Sequence, residues 1–270
     1  MNHKILCVDL DATLLCDDKS ITQKNREAIN RMLEAGHYIA LATGRPVETA
    51  REVARELGLN TPGCYMIAFN GAVLYDCAAD RVLLKRSLPI EIVQELFDKA
   101  KRAGLYVQTY NSTDLITTKH TKELDYYVKQ ARISYKISPN ILDALEEEPQ
   151  KVMLISLDQR DKLERFQKKN LNWEKEKCNS FFSSSQYLEY SPKNTSKATG
   201  ILELTKILNM PMDATVAVGD EDNDVPMIKT ACIGVAVKNA TEKAKAAADY
   251  VTVNDNNHDA IAEVIEKFIL

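Results

Sequence analysis

A chain of 270 residues with a net charge of -4 has room for a large α/β core, or for a core carrying a sizeable insertion. Its 45% hydrophobic and 27% charged content is that of an ordinary globular protein, and the negative balance argues against nucleic acid or an anionic membrane as the main partner. No stretch approaches the roughly 20 apolar residues of a membrane span, and no signal segment opens the chain, so a cytoplasmic protein is expected.

"KILCV" is a continuous apolar run, the pattern of a strand buried on both faces. "SITQKNREAINRMLEAG" then sets Ile21, Ile29, Met32 and Leu33 at mostly helical spacing, with Ser20 or Thr22 as the N-cap and Gly36 as the stop. "YIALATG", "VETAREVARELG" and "YMIAFNG" continue as strand, helix and strand, and "AVLYD" with "RVLLKRS" reads as an edge hairpin. From about residue 85 the rhythm changes. A helix, "PIEIVQELFDKAKRAG", leads to "LYVQTY" and "DLITTK", helical "TKELDYYVKQA" and "ILDALEEE", the strand "KVMLISL", the helix "DKLERFQKKN" and a strand pair, "CNSFFSS" and "QYLEYS". The first rhythm then returns: helix "KATGILELTKILN", strand "ATVAVGD", helix "DVPMIKTA", strand "IGVAV", helix "TEKAKAAAD", strand "YVTV" and a closing amphipathic helix to Leu270. Alternating strands and helices predict a doubly wound, Rossmann-like parallel-sheet α/β core from residues 1–84 and 190–270, with an α+β cap domain inserted at 85–189. The six cysteines, Cys7, Cys16, Cys64, Cys77, Cys178 and Cys232, form no CxxC pair or zinc spacing and are expected as reduced thiols.

Asp9 and Asp11 stand where the first strand gives way to a loop, at the sheet edge where ligands bind in such folds. Residues i and i+2 of an extended segment point the same way, so both carboxylates can converge on one object, and a divalent cation relieves their repulsion. A lone DxD is more often a cap or a solvated loop. An EF-hand is excluded, because its sixth and twelfth loop positions fall on Leu14 and Ser20, or, in "GDEDNDVPM", on Val225 and Ala231. The decisive feature is a second acidic group: Asp220, Asp222, Asn223 and Asp224 follow another apolar strand, with Gly219 permitting close backbone approach, although "DEDND" taken alone also reads as a solvated acidic turn. Several oxygen ligands around one small cation, with phosphate and water completing the shell, suit magnesium. "LATGR" brings Thr43, Gly44 and Arg45 to a helix entry fit for phosphate oxygens. Lys193 or Lys197 of "SPKNTSKATG" would supply the positive charge of a phosphoryl-transfer site, and its place before a core helix favours Lys197.

Together "DLDATLL", "ATGR", the Lys197 region and "GDEDND" followed by "IGVAVKNA" resemble the haloacid dehalogenase (HAD) superfamily, and within it the Cof-type phosphatases, over essentially the whole chain. The chain is most similar to the YidA-like sugar-phosphate phosphatases, since "TPGCYMIAFNGAVL" and "KVMLIS" also fall in place. The resemblance implies that Asp9 is the nucleophile and a metal ligand, and that Asp11 is the general acid and base, its backbone carbonyl also binding metal. It implies that the Leu10 N–H, Thr43, Gly44 and Asn223 hold phosphate and that Lys197 neutralises nucleophile and phosphate. Asp220 and Asp224 hold the metal side, with Asn223 and Asp224 also orienting phosphate, Lys197 and metal-bound water. Arg45, Asn70 and Gly71 are candidate substrate contacts, and the polar stretches "SSSQ" and "KHTKE" are candidates in the cap. A general acid must begin protonated, so a raised Asp11 pKa is expected.

Ala12 departs from the family's usual Gly, at a cost on the order of 1 kcal/mol if the backbone there is left-handed. "VKNA" and "NHDAI" also depart, and Lys238 and His258 within them read as surface variation. The expected activity is magnesium-dependent hydrolysis of a small phosphorylated metabolite, sugar phosphates first, by a monomer or small homo-oligomer without nucleic-acid or membrane partners. Transfer to an alcohol acceptor, or a non-catalytic phospho-ligand sensor supported only by Ala12, are the alternatives.

Overall fold

A computed structural model of the chain describes residues 3–111 and 113–270. Its first strand, β1 (Ile5–Val8), is fully buried, as a strand inside a covered parallel sheet must be. Helix α1 (Gln23–Glu34) begins at Thr22, whose hydroxyl accepts the Asn25 N–H at 3.2 Å, and buries Ala28, Ile29 and Met32 along one stripe. Strand β2 (Tyr38–Ala42), α2 (Val47–Glu56), β3 (Cys64–Ala68), β4 (Val73–Asp76) and β5 (Arg81–Lys85) follow. The chain continues through α3 (Ile90–Arg102), β6 (Tyr106–Tyr110), β7 (Leu115–Thr117), α4 (Lys122–Ala131), β8 (Tyr135–Ile137), β9 (Val152–Ile155), α5 (Arg160–Glu174), β10 (Cys178–Ser184) and β11 (Tyr187–Pro192). It closes with α6 (Lys197–Ile207), β12 (Thr215–Gly219), α7 (Val225–Thr230), β13 (Ile233–Ala236), α8 (Glu242–Ala247), β14 (Tyr250–Val251) and α9 (Ala260–Phe268).

Two compact units result, one of residues up to 84 together with 196–270, the other of 85–195. In the first, the sheet order is β14-β13-β12-β1-β2-β3-β4-β5. The pairings from β14 through to β3 are parallel, and β4 adds antiparallel at the edge with β5 beyond it, as the hairpin signal predicts. Strand β1 lies between β12 and β2, with Cys7 in register with Ala217 on one side and Ala40 on the other. The chain winds outward to β3 on one side and to β14 on the other, so the crevice at the carboxyl ends of β1 and β12 is the topological switch point. Ile201 and Leu204 of α6 pack on Ile5, Cys7, Ile67 and Ala217 beneath it.

The second unit has the sheet order β10-β11-β9-β6-β7-β8, antiparallel except for β7 with β8. Val93, Leu96 and Phe97 of α3 and Leu163 and Phe166 of α5 pack with Val107, Val152, Leu154 and Leu188 in its core. Three details differ from the sequence reading. "ILDALEEE" makes only a short 3-10 turn, Ile141–Ala144, because one apolar residue, Ile141, is buried there and the glutamates that follow offer no stripe to bury. Strand β8 was not foreseen, since all of it is exposed and it has no buried face to leave a pattern. The unit also runs past residue 189 to Thr195, because β11 extends to Pro192 opposite Cys178.

Candidate active site

The switch point gathers the charged residues of three strand and helix ends. Asp9 follows β1, its N–H donating to the Val218 carbonyl of the neighbouring strand at 3.0 Å. Lys197 is the first residue of α6, fixed by a capping box: the Ser196 hydroxyl accepts the Thr199 N–H at 3.1 Å and the Thr199 hydroxyl accepts the Ser196 N–H at 2.8 Å. Its ammonium, 1% exposed, donates to Asp9 Oδ1 and, at 2.6 Å, to Asp224 Oδ1. The other Asp224 oxygen accepts the Asp220 and Glu221 N–H groups at 3.0 and 3.1 Å, so one carboxylate both pairs the lysine and shapes the loop after β12. Asp220 accepts the hydroxyl proton of buried Thr13 at 2.7 Å.

Among the described residues, Asp9, Asp220 and Asp224 are brought together as one buried group whose ligand oxygens lie within 4.8 Å of one another. Burial pushes the Asp9 carboxyl well above the ordinary carboxylate range; Lys197 opposes this, and Asp224, Asp220 and Asp11 reinforce it. Asp220 is pushed up to about 7 by burial and then by the Asp224 charge. Burial disfavours the Lys197 ammonium, yet Asp224 and Asp9 outweigh it and hold the lysine charged above its usual range. Hard oxygen donors, crowded and resisting ionisation for want of positive charge, fit a magnesium-type cation.

Asp11 faces elsewhere. Its partly exposed carboxylate is gripped by Arg45 through Nη2 at 2.7 Å and Nε at 2.9 Å, and by Lys19 at 2.8 Å. Burial pushes its carboxyl up, but the Arg45 hydrogen bonds and charge, then those of Lys19, hold it at about 2. This corrects two expectations. The carboxyl is ionised rather than raised, because a guanidinium faces it, and it stands outside the metal-type cluster, leaving only its backbone carbonyl for such a role. Ala12 beside it has φ 59, the left-handed conformation in which its methyl group is unfavourable.

Thr43, 1% exposed, accepts the Arg45 N–H on its hydroxyl at 3.1 Å and the Asn70 N–H on its carbonyl at 2.9 Å. Phe69, Asn70 and Gly71 are consecutive residues with positive φ. The turn lays the Asn70 side chain against Gly44, where a Cβ would lie 3.0 Å from its Nδ2, and lets Asn70 Oδ1 accept from Asn223 Nδ2 at 3.2 Å. Gly71 passes so close to Ser196 that a Cβ would come within 2.1 Å of its carbonyl oxygen.

A family model described as haloacid dehalogenase-like hydrolase matches residues 6–265. The chain belongs to the haloacid dehalogenase-like hydrolases. It is 28% identical to the 5-amino-6-(5-phospho-D-ribitylamino)uracil phosphatase YcsE of Bacillus subtilis, over 99% of this chain and 96% of the relative. It is 26% identical to the pyridoxal phosphate phosphatase YbhA of Escherichia coli, over the whole of both chains. A crystal structure of a haloacid dehalogenase-like hydrolase from Bacteroides thetaiotaomicron superposes with TM-score 0.90 at 29% identity, covering 98% of this chain and 99% of that one. The chain is a Cof-type phosphatase of this family.

In this phosphatase the remaining expected residues fall into place or away from it. Leu10 is fully buried and its carbonyl is taken by the Leu15 N–H at 2.8 Å. Of the two lysines left open, Lys193 belongs to the second unit and pairs with Glu176, which leaves Lys197. Asp222 turns outward to Lys243 at 2.6 Å. Lys238 is exposed, and exposed His258 lies with Nδ1 2.6 Å from Asp255. Asn70 and Gly71, read as candidate substrate contacts, tie the Thr43 loop to Asn223 and to the start of α6. Thr13 was missed; a hydroxyl two residues after the second acid was its only signal. No helix among the described residues is long and apolar enough to cross a membrane.

Proposed function

We propose that this hydrolase is a magnesium-dependent phosphomonoesterase of small phosphorylated metabolites, acting through an aspartyl-phosphate on Asp9. The observation that carries the reading is the buried lysine bonded at once to Asp9 and Asp224, beside Asp220. Asp9, Asp220 and Asp224, with the Asp11 carbonyl, would hold the cation, which when bound offsets the negative charge of carboxylates and phosphate. Lys197 favours the ionised form of Asp9, which the bound cation would complete, and holds its carboxylate in place. The Asp9 carboxylate attacks phosphorus, an O–P bond forms, the bond to the leaving oxygen breaks, and Asp11 gives that oxygen a proton. Asp11 then takes a proton from water, the new hydroxide attacks the same phosphorus, and phosphate departs with the Asp9 carboxylate restored. Because Asp11 starts ionised and clamped, its bonds to Arg45 and Lys19 must open first and its freed carboxylate must take up a proton from solvent before it can act as the acid; an incoming phosphate dianion offers Arg45 another partner. Leu10, Thr43 and Gly44 supply donors for the phosphate oxygens, with Asn223 held ready by Asn70.

We place substrate choice in the inserted unit, the cap of the sequence reading. On the sheet face away from Val152 and Leu188 it carries a buried Lys151–Glu189 pair at 3.2 Å, with Ser183 donating to Glu189 at 2.5 Å and Lys151 over the Tyr110 ring. So polar a sheet face supports hydroxyl-rich substrates, sugar and sugar-alcohol phosphates first, in keeping with the ribityl phosphate named for YcsE. The test is phosphate release from sugar phosphates, nucleotides, phosphorylated vitamins and an aryl phosphate, with and without magnesium, with Asp9→Asn as control. Magnesium-dependent release that vanishes in the control is expected; silence across the panel from folded protein overturns the reading.

A further inference from the structure

Two asparagines that no catalytic step uses hold the strained turn of the nucleophile loop. Asn239, in the loop after β13, donates from Nδ2 to the Ala12 carbonyl at 2.8 Å. Its Oδ1 accepts the Asn256 N–H at 3.1 Å, so both ends of the amide are matched in one orientation only. Asn256, 2% exposed and lying beyond β14, donates from its own Nδ2 to the Leu15 carbonyl at 3.1 Å and to Asp17 at 3.0 Å. The chain of bonds therefore grips the loop at the turn itself, on the Ala12 carbonyl, and again just after it, at Leu15 and Asp17.

Ala12 is where such a grip matters. It is left-handed with φ 59, which a residue bearing a Cβ resists and glycine does not. It also stands between Asp11, whose carboxylate meets Arg45, and Thr13, whose hydroxyl meets Asp220. A relaxation of Ala12 toward negative φ would swing both neighbours away from those partners.

We propose that Asn239 and Asn256 are positioning residues that lock Ala12 in its left-handed state and so set Asp11 and Thr13 for phosphoryl transfer. The proposal rests on the phosphatase reading above for its consequence in turnover, though not for the lock itself.

The experiment is a cycle of Asn239→Ala and Ala12→Gly on the full chain, read by hydrolysis of an aryl phosphate and by urea unfolding. In the natural background Asn239→Ala should lower kcat about fivefold, the worth of one net hydrogen bond, with KM moved less than about twofold. In the Ala12→Gly background the same substitution should lower kcat less than about twofold, because glycine holds that conformation unaided. The urea midpoint should show the same coupling, a smaller drop from Asn239→Ala when Ala12→Gly is present. Equal losses in both backgrounds by both readouts, or none in the natural one, overturn the lock. If the unsubstituted protein releases no phosphate, the phosphatase reading falls, and the urea cycle alone decides whether the lock exists.

Discussion

Replacing Lys197 by Met tests the charge arrangement directly. The side chain is 1% exposed and its ammonium serves both Asp9 and Asp224, so the substitution leaves two buried carboxylates without their counter-charge. Removing one partner of a buried ion pair costs about 3–5 kcal/mol, and at roughly 2–4 °C per kcal/mol for a domain of this size the melting point should fall by about 6–20 °C. The carboxylates can relieve part of the loss by taking up protons, since burial already pushes Asp9 upward. The deficit should therefore be largest near about pH 8 and smaller near about pH 5.5. Phosphate release should drop by at least about a hundredfold, because the positive charge that offsets the negative charge of the transition state is gone. The assay is thermal unfolding in chelator, beside phosphate release in magnesium. Adding Asp224→Asn to Lys197→Met should restore part of the melting point and none of the turnover. A Lys197→Met protein that melts within about 2 °C of the natural chain at about pH 8, and keeps more than about a tenth of its rate, would refute the reasoning.

Three further outcomes are expected. Asp220 carries a pKa of about 7 without metal, so the stability it contributes is fully present below the ordinary carboxylate value and is lost as pH rises through about 7. On the proposed reading magnesium would bind the deprotonated cluster, so the rise in melting point that it confers should grow between about pH 5 and about pH 8, and a rise independent of pH would count against the cluster as its site. Arg45→Gln should raise the Asp11 carboxyl from about 2 toward the ordinary range, visible in a carboxyl-carbon NMR titration; an unmoved titration would show that Lys19 alone holds it. Gly71→Ala should destabilise the fold by at least about 2 kcal/mol in urea, since the new methyl meets the Ser196 carbonyl and φ there is 97, and a shift below about 0.5 kcal/mol would contradict the close approach.

How far the chain could be read from its sequence follows from what each feature depends on. "KILCV" and "ATVAVGD" are apolar enough to be fully buried strands, so the acids that follow them had to emerge at a sheet edge, and the alternation of elements set the two edges side by side. The direction of Asp11 could not be read in that way. The rule that residues i and i+2 face alike holds for extended backbone, and the chain has left the strand at Val8, with Leu10 between the two acids already in a turn. Asn70 is a similar case: its amide spans Gly44 and Asn223, far apart in sequence, and only the left-handed turn through Phe69 and Gly71 aims it there. Exposed strand β8 left no hydrophobic alternation to read. What was legible depends on burial, which writes a pattern into the sequence; what was hidden depends on single backbone angles.

The acid–base character of the cluster follows from its charge balance. Fully ionised, Asp9, Asp220 and Asp224 carry three negative charges against the one positive charge of Lys197, an excess of two. Buried oxygens so close together do not tolerate that excess, and without a cation the fold meets it with protons: Asp9 is held high and Asp220 sits near 7. A divalent cation would meet the same deficit with one particle of charge two and leave Asp9 ionised, as the proposed attack on phosphorus requires. Proton and metal would thus compete for one shortage of positive charge, and Lys197 alone is too little to end it. Asp11 escapes the competition because Arg45 and Lys19 neutralise it separately. The two carboxylates of "DLDATLL" therefore differ in ionisation for reasons outside the motif: Asp9 is buried and shares one lysine with other acids, and Asp11 is held by two cations of its own.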